Sequence, residues 1–346
     1  MKQAESSIQN QPTDKTEPSK KDLTYVGLAL FSLLAITVSL QLILISLITA
    51  YAPHLFDRSW FFWILSLAPL YLAAYPVCLL IMKKARITPL QPARLGSSTF
   101  LMYAMMSVTL MYVGNIIGTI FTTLLDTSFN LGDMNAIQDM ILGSSLLANF
   151  IFAVILAPVA EEYLFRKLLI DRTIQFGERT AIMMSALFFG LFHGNFSQFF
   201  YAFGLGALFA FIYIRTGLLR YVIALHMIIN FTGSVLAPLI LSRLDMDALD
   251  TLAQMNLEQF NTQELIDKLG TSLAGFFTFG LYILLMMSMA FAGLVLLIMK
   301  RKSFKLHKNE SSLQGKARLN RIWLNPGILL FLAGCAGLFA YNLLAL

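Results

Sequence analysis

The sequence predicts an all-α protein, a polytopic transmembrane helical bundle of about eight or nine spans with its N-terminus in the cytoplasm. Composition is the first reason: of 346 residues, 58% are hydrophobic and 13% charged, a balance on which a soluble domain would aggregate. Length is the second, because several apolar runs exceed the roughly 20 residues a helix needs to cross a bilayer. The third is where the charge falls. Lys and Arg sit in short connections between the runs, as the positive-inside rule expects. Short segments of alternating polarity, the mark of an outer-membrane barrel, are absent. The net charge of +6 is accounted for by these loops. Nucleic acid is therefore excluded as a partner, and membrane lipid is implied.

Residues 1–22 are polar and rich in Ser, Gln, Pro and charge, and are predicted to be a disordered tail. The apolar run that starts near Tyr25 is too long for a cleavable signal peptide. Candidate spans follow at about 24–52, 60–82, 97–125, 143–171, 180–195, 197–214, 219–241, 271–299 and 326–345. The fifth and sixth are short and divided only by His193-Gly194-Asn195, so they read as two spans or as one broken, re-entrant element.

Loop charge sets the orientation. Lys83, Lys84, Arg86 and Arg94 place the second loop inside, whereas Asp126, Asp133 and Asp139 suit an outside loop. Arg166, Lys167, Arg172 and Arg179 favour inside after span four, and Arg215 and Arg220 do so again after span six. The acidic 242–270 segment reads as outside, with an amphipathic stretch at MDALDTLAQMNLEQF. The basic 300–322 segment returns inside, which leaves the C-terminus outside. Cys78 and Cys335 lie within apolar runs and read as packed thiols.

Against this background the stretch APVAEEYLFR, residues 157–166, stands out. An ionisable side chain inside a span costs about 2.5–3.5 kcal/mol on insertion scales, so such groups face a bundle interior or a wet cavity. Glu162 and Arg166 are i,i+4 neighbours and can form an ion pair. Glu161 is turned about 100° from Glu162 and is the carboxylate left for chemistry. Pro158 has no N–H and frees a carbonyl one turn earlier, expected to be that of Val154. Read alone, these charges suit a helix emerging into the cytoplasm.

Two further patterns change the weighting. FGLFH at 189–193 places His193 on the face of Phe189 and Gly190, where the glycine admits a neighbouring helix. HMIIN at 226–230 places His226 and Asn230 on one face. Counted from the basic boundaries at Arg172, Arg179 and Arg220, the glutamates, His193 and His226 lie about 15, 20 and 9 Å up their helices. A single cavity opening toward the cytoplasm accommodates all three. Gln41, Asn115 and Asn149 read as interhelical hydrogen-bonding groups. Asn195 and Gln198 either line the cavity or serve the loop. No Gly-rich phosphate loop, HExxH helix or GxSxG elbow occurs.

EExxxR at 161–166, FxxxH at 189–193 and HxxxN at 226–230, in that order on successive spans, resemble the CPBP family of CAAX prenyl endopeptidases and bacteriocin-processing or immunity enzymes, also called Abi. APVAEE, RTG at 215–217 and INF at 229–231 extend the similarity across about residues 140–240. The resemblance implies an intramembrane endopeptidase whose site opens to the cytoplasm, acting on a membrane-associated protein or peptide. It implies site residues Glu161, Glu162, Arg166, His193, His226 and Asn230.

Two chemistries stay open. In the favoured, metal-free one, Glu161 and His193 activate water while His226 and Asn230 donate to the oxyanion. In the other, Glu161, His193 and His226 are ligands of a metalloprotease zinc with an open fourth position. The alternative function is a non-catalytic immunity or peptide-binding protein using the same cavity. A proton-coupled transporter would show inverted repeats, and none is found. The implied organisation is a tail at 1–22, N-terminal helices at 23–135, the motif-bearing core at 140–241, an extracytoplasmic loop at 242–270 and C-terminal helices at 271–346. The tail, the frequent Met and Phe and the short loops suit a bacterial plasma membrane.

Overall fold

The computed structural model describes residues 19–129, 141–244, 272–307 and 320–344. All regular elements among them are helices: α1 (Lys20–Tyr51), α2 (Trp60–Met82), α3 (Ser97–Phe129), α4 (Leu146–Phe176), α5 (Glu178–Phe192), α6 (Phe196–Thr216), α7 (Leu219–Leu241), α8 (Ser272–Lys300) and α9 (Pro326–Leu344). Eight are long and apolar enough to cross a membrane, and α5, at 15 residues, falls short of that length. Their outward faces carry exposed apolar side chains such as Leu72, Phe277 and Phe291, the composition that lipid contact requires.

The predicted spans are found as helices with shifted ends, the fifth being too short to cross a membrane. Helix α1 starts at Lys20 because the Ser19 hydroxyl caps it, accepting from the Lys21 N–H at 3.2 Å. The remainder of the predicted tail, the amphipathic stretch of the 242–270 loop and residues 308–319 of the basic loop lie outside the described residues. Cys78 and Cys335 are buried free thiols, as expected.

Spans five and six are two separate helices that form a hairpin. Helix α5 climbs from Glu178, the chain turns at 193–195, and α6 descends to Thr216, where the two ends are tied by Arg215 Nη1 and Glu178 Oε1 at 2.7 Å. Gly194 makes the turn at φ +71°, and a Cβ there would strike Leu338 of α9. Close packing runs down the hairpin, since Gly206 sits against the Ala186 backbone and Gly190 against the Phe199 carbonyl. The approach of another helix expected at Gly190 is therefore made by α6.

One end of the bundle gathers the basic connections. Asp22 pairs with Arg86 at 3.0 Å, and the Asn325 amide donates to the Lys20 carbonyl at 2.9 Å. The 83–96 segment is pinned there by Thr88 N–H to Asp171 O at 2.6 Å and Ala93 N–H to Thr216 O at 2.7 Å. Arg215 Nη2 donates to the Lys305 carbonyl at 2.6 Å. Arg172, taken from the sequence as a boundary charge, is instead buried in protein, donating to the Met82 and Leu168 carbonyls at 2.9 and 3.0 Å. At the other end, Arg58 and Arg243 are the basic residues among those described.

Helix lengths explain why a hollow exists. The 15 residues of α5 span about 22 Å and the 33 of α3 about 50 Å. The hairpin tip thus stops short of the far end while α3, α7 and α9 run past it.

Two measurements test this packing. Replacing Gly114→Ala would drive a methyl into the Tyr201 Cα on α6 and is expected to cost about 1–3 kcal/mol in thermal unfolding in detergent. Gly280→Ala meets open space and should be neutral or stabilise by up to about 1 kcal/mol. Acid should loosen the basic end. Burial alone would raise the Glu178 pKa, but Arg215 and the backbone and ring N–H of His307 outweigh it and hold the carboxyl below the ordinary glutamate range. A depressed folded-state pKa adds stability at neutral pH that is lost as pH falls through that value. Unfolding temperature should therefore fall on acidification, and less steeply in Glu178→Gln.

Candidate active site

The EExxxR helix is not a regular α-helix. Phe150–Leu156 and Tyr163–Leu168 are π-helical turns on either side of the α-helical Ala157–Glu162. Ala157 donates to Phe152 O, an i→i−5 bond. In that register residue 158 would donate to Ala153 O, but Pro158 has no N–H. The Asn230 amide of α7 supplies the missing donor, Nδ2 to Ala153 O at 2.8 Å. The freed carbonyl is thus that of Ala153, not Val154 as expected, because the π-turn shifts the register by one residue. The stitch is returned from α4. Asn149 Nδ2 donates to Ser234 O at 3.0 Å, within the π-helical turn Thr232–Leu236 that precedes Pro238.

Glu162 and Arg166 form an ion pair that is fully enclosed, with Nε 2.9 Å from Oε2 and Nη2 3.3 Å from Oε1. The Nε contact is close but poorly aligned, so the pair is held partly by its surroundings. Arg166 Nη1 donates to Ser185 Oγ at 2.8 Å, and Ser185 donates in turn to Phe165 O at 2.8 Å. The guanidinium lies over the Phe189 ring at 4.8 Å and near Phe209 at 5.9 Å. Glu162 and Arg166 are therefore not at a helix end emerging into the cytoplasm but packed at the seam of α4, α5, α6 and α7.

Glu162 carries the site one helix further. Its Oε1 is 2.9 Å from His226 Nδ1. A carboxylate only accepts, so Nδ1 bears the hydrogen and Nε2 is turned away from it. Nε2 faces Glu161, whose Oε2 is 3.8 Å distant. The two glutamates differ as their helical offset predicts: the Glu162 side chain is 0% exposed and that of Glu161 25%.

His193 is held the same way. Its Nδ1 lies 2.8 Å from the Phe189 carbonyl, which also only accepts, so Nε2 is again the nitrogen left free. The Phe189 ring stands edge-on to both imidazoles, at 5.0 Å from His193 and 5.8 Å from His226. Phe189 therefore touches Arg166, His193 and His226 together, which gives the Phe of FxxxH a physical task. His193 also lies within electrostatic reach of Glu161 and His226.

A cavity of about 680 Å³ sits above the hairpin tip. His193 and Asn230 line it; His226 lies about a turn deeper along α7, and Glu161, which faces His226, borders a separate small pocket with Tyr71, Tyr75 and Phe192. Asn195 and Gln198 line it and also shape the turn, since Asn195 Oδ1 caps α6 at the Gln198 N–H and Gln198 Nε2 donates to the Tyr201 hydroxyl at 2.8 Å. Asn115, expected to bridge helices, accepts from Thr119 of its own helix and faces the cavity, whereas Gln41 does bridge, donating to Ser66 O at 3.1 Å. The walls come from the later turns of α3, α7 and α9, in the half of the bundle away from the basic loops.

Ser185, Tyr201, Tyr71 and Tyr75 went unnoticed in the sequence. Tyr71 and Tyr75 stand beside Glu161, and the Tyr75 hydroxyl donates to Ala160 O at 2.9 Å. Nothing in their spacing marks them, because their helices meet α4 and α5 only in the fold. Among the described residues no three of His, Cys, Asp and Glu converge closely enough to hold a metal ion.

Arg166→Met should cost about 3–5 kcal/mol in thermal unfolding, because it leaves Glu162 buried without its counter-charge. Adding Glu162→Gln should recover most of that loss.

Comparison with curated proteins finds no match, and comparison with solved structures finds none. Residues 143–232, which hold all three motifs, match the family model for Type II CAAX prenyl endopeptidase Rce1-like proteins, a protease family and the one the motifs resemble.

Proposed function

We propose that this chain is an intramembrane endopeptidase that hydrolyses a peptide bond of a membrane-associated protein or peptide with a water activated by Glu161. The observation that carries this reading is the facing pair of Glu161 Oε2 and His226 Nε2 at 3.8 Å. Both atoms accept hydrogen bonds when His226 is neutral, because its hydrogen is held on Nδ1 by Glu162. One water can donate a hydrogen to each, at O···acceptor distances of about 2.8 Å. Its lone pair is then free to meet a carbonyl carbon.

In the first step the water oxygen bonds to the carbonyl carbon and its proton passes to Glu161. The carbonyl oxygen becomes an oxyanion. Asn230 gives one amide hydrogen to Ala153 O and keeps a second for the cavity, where it serves the oxyanion; one such donor is worth about 2.7–4 kcal/mol. In the second step the C–N bond breaks, and the proton on Glu161 goes to the leaving amine. His193, with Nε2 free, helps hold the water or relay that proton. Glu162 and Arg166 touch no substrate in this scheme. They fix the tautomer and the position of His226.

Glu161→Gln keeps the shape and removes the base, and should lower turnover by about 10²–10⁴-fold with unchanged thermal stability. His193→Ala should also lower it strongly. Comparing membrane peptides from a deletion strain complemented with wild type or with Glu161→Gln reads both. Full biological effect from a folded, inserted Glu161→Gln protein would rule hydrolysis out. Turnover of the purified enzyme should survive a strong chelator; loss restored by added zinc would overturn the metal-free step.

A further inference from the structure

We infer that Tyr71 of α2 is a positioning residue for Glu161: its hydroxyl donates to the far side of the carboxylate and keeps that group charged and turned toward His226. This rests on the endopeptidase reading and adds a residue that the three motifs do not contain. The reason lies in the small pocket beside Glu161, whose walls are Tyr71 and Tyr75 of α2, Phe192 of α5 and otherwise aliphatic groups. A carboxylate against such walls needs a hydrogen-bond donor on that side.

Its neighbours have few hydrogens to give. His226 and His193 commit theirs to Glu162 Oε1 and to the Phe189 carbonyl, and each is left with a bare Nε2. Tyr75 gives its own to Ala160 O at 2.9 Å. Arg166 is within electrostatic reach of Glu161, but its contacts are with Glu162 and Ser185. Tyr201 accepts from Gln198 and has a hydrogen to spare, yet it lines the large cavity, which Glu161 does not. Tyr71 is what remains. Among the described residues its hydroxyl has no hydrogen-bond partner, and it lies on the pocket wall within electrostatic reach of Glu161.

The geometry suits the role. Glu161 presents Oε2 to His226 Nε2 at 3.8 Å, which leaves Oε1 for the other side. The void measures about 10 Å³, room for at most one water, so the Tyr71 hydrogen reaches the carboxylate directly or through that single molecule. Tyr75 supports the arrangement. Its bond to Ala160 O ties α2 to α4 one residue before Glu161, and its ring lies 6.1 Å from that of Tyr71. A hydrogen bond to a carboxylate favours its charged form, the form that can take a proton from water.

Carbodiimide labelling tests this without relying on turnover. Dicyclohexylcarbodiimide enters membranes and modifies a carboxyl only in its protonated form, and fragment-ion mass spectrometry tells Glu161 from Glu162. Tyr71→Phe keeps the ring and loses only the hydroxyl. At one fixed neutral pH it should label at Glu161 several-fold faster than wild type, and Tyr201→Phe should label at the wild-type rate. Equal rates for Tyr71→Phe and wild type overturn the inference, as does the same acceleration in Tyr201→Phe. Acceleration in Tyr71→Leu without acceleration in Tyr71→Phe traces to access and overturns it too. On the substrate whose fragment wild type restores to a deletion strain, Tyr71→Phe should lower kcat by about 10–100-fold at an unchanged KM. A wild-type kcat there also overturns the inference. Faster labelling of Tyr71→Phe in a protein that releases no fragment at all would instead count against the endopeptidase reading alone.

Discussion

The site depends on one buried chain of charge, Arg166 to Glu162 to His226. An enclosed guanidinium and carboxylate are tolerable only when each has its partner and when remaining donors are used. Here Arg166 reaches Ser185 on α5, Glu162 reaches His226 on α7, and aromatic rings of α5 and α6 cover the guanidinium. Four helices are thereby fixed relative to one another by a single ion pair. The same contacts settle which nitrogen of His226 carries its hydrogen. Stability and chemistry are not separable at this point of the molecule, since the group that neutralises Arg166 also aims the imidazole at Glu161.

A second constraint comes from proline. Pro158 leaves a carbonyl without its helical donor in a region where water is scarce, and an unsatisfied backbone group there is costly. Asn230 of the opposite helix repairs it, and Asn149 of α4 returns a bond to Ser234 O in the π-turn of α7. The two amides cross-link α4 and α7. Asn230 accordingly has two tasks: one hydrogen is committed to structure, and the other faces the cavity.

The hollow is a consequence of unequal helix lengths, not of any special cavity-forming residue. The α5–α6 hairpin turns early because Gly194 takes up a positive φ and Asn195 caps the next helix. Helix α9 then crosses the tip, with Asn342 donating to Gly194 O at 3.0 Å. His193 is placed at the last turn of α5, at the bottom of the space the short hairpin leaves.

Much of this was legible in the residues alone, and the division follows the range of the forces involved. Hydropathy and the 3.6-residue period are local, so the spans, the Glu162–Arg166 pairing, the separation of Glu161 from Glu162 and the shared face of Phe189 and His193 could be read directly. Motif order was enough to indicate the family whose model matches residues 143–232. The register of α4 could not be read, because a π-turn is stabilised by what packs beside it, and one shifted hydrogen bond moved the orphaned carbonyl from Val154 to Ala153. The partners Ser185, Tyr71, Tyr75 and Tyr201 meet the site from distant parts of the chain. The sequence by itself determined which residues are helical and which are charged within the membrane; only the tertiary structure decided which atoms those charges meet, because contacts between helices depend on length, register and tilt together.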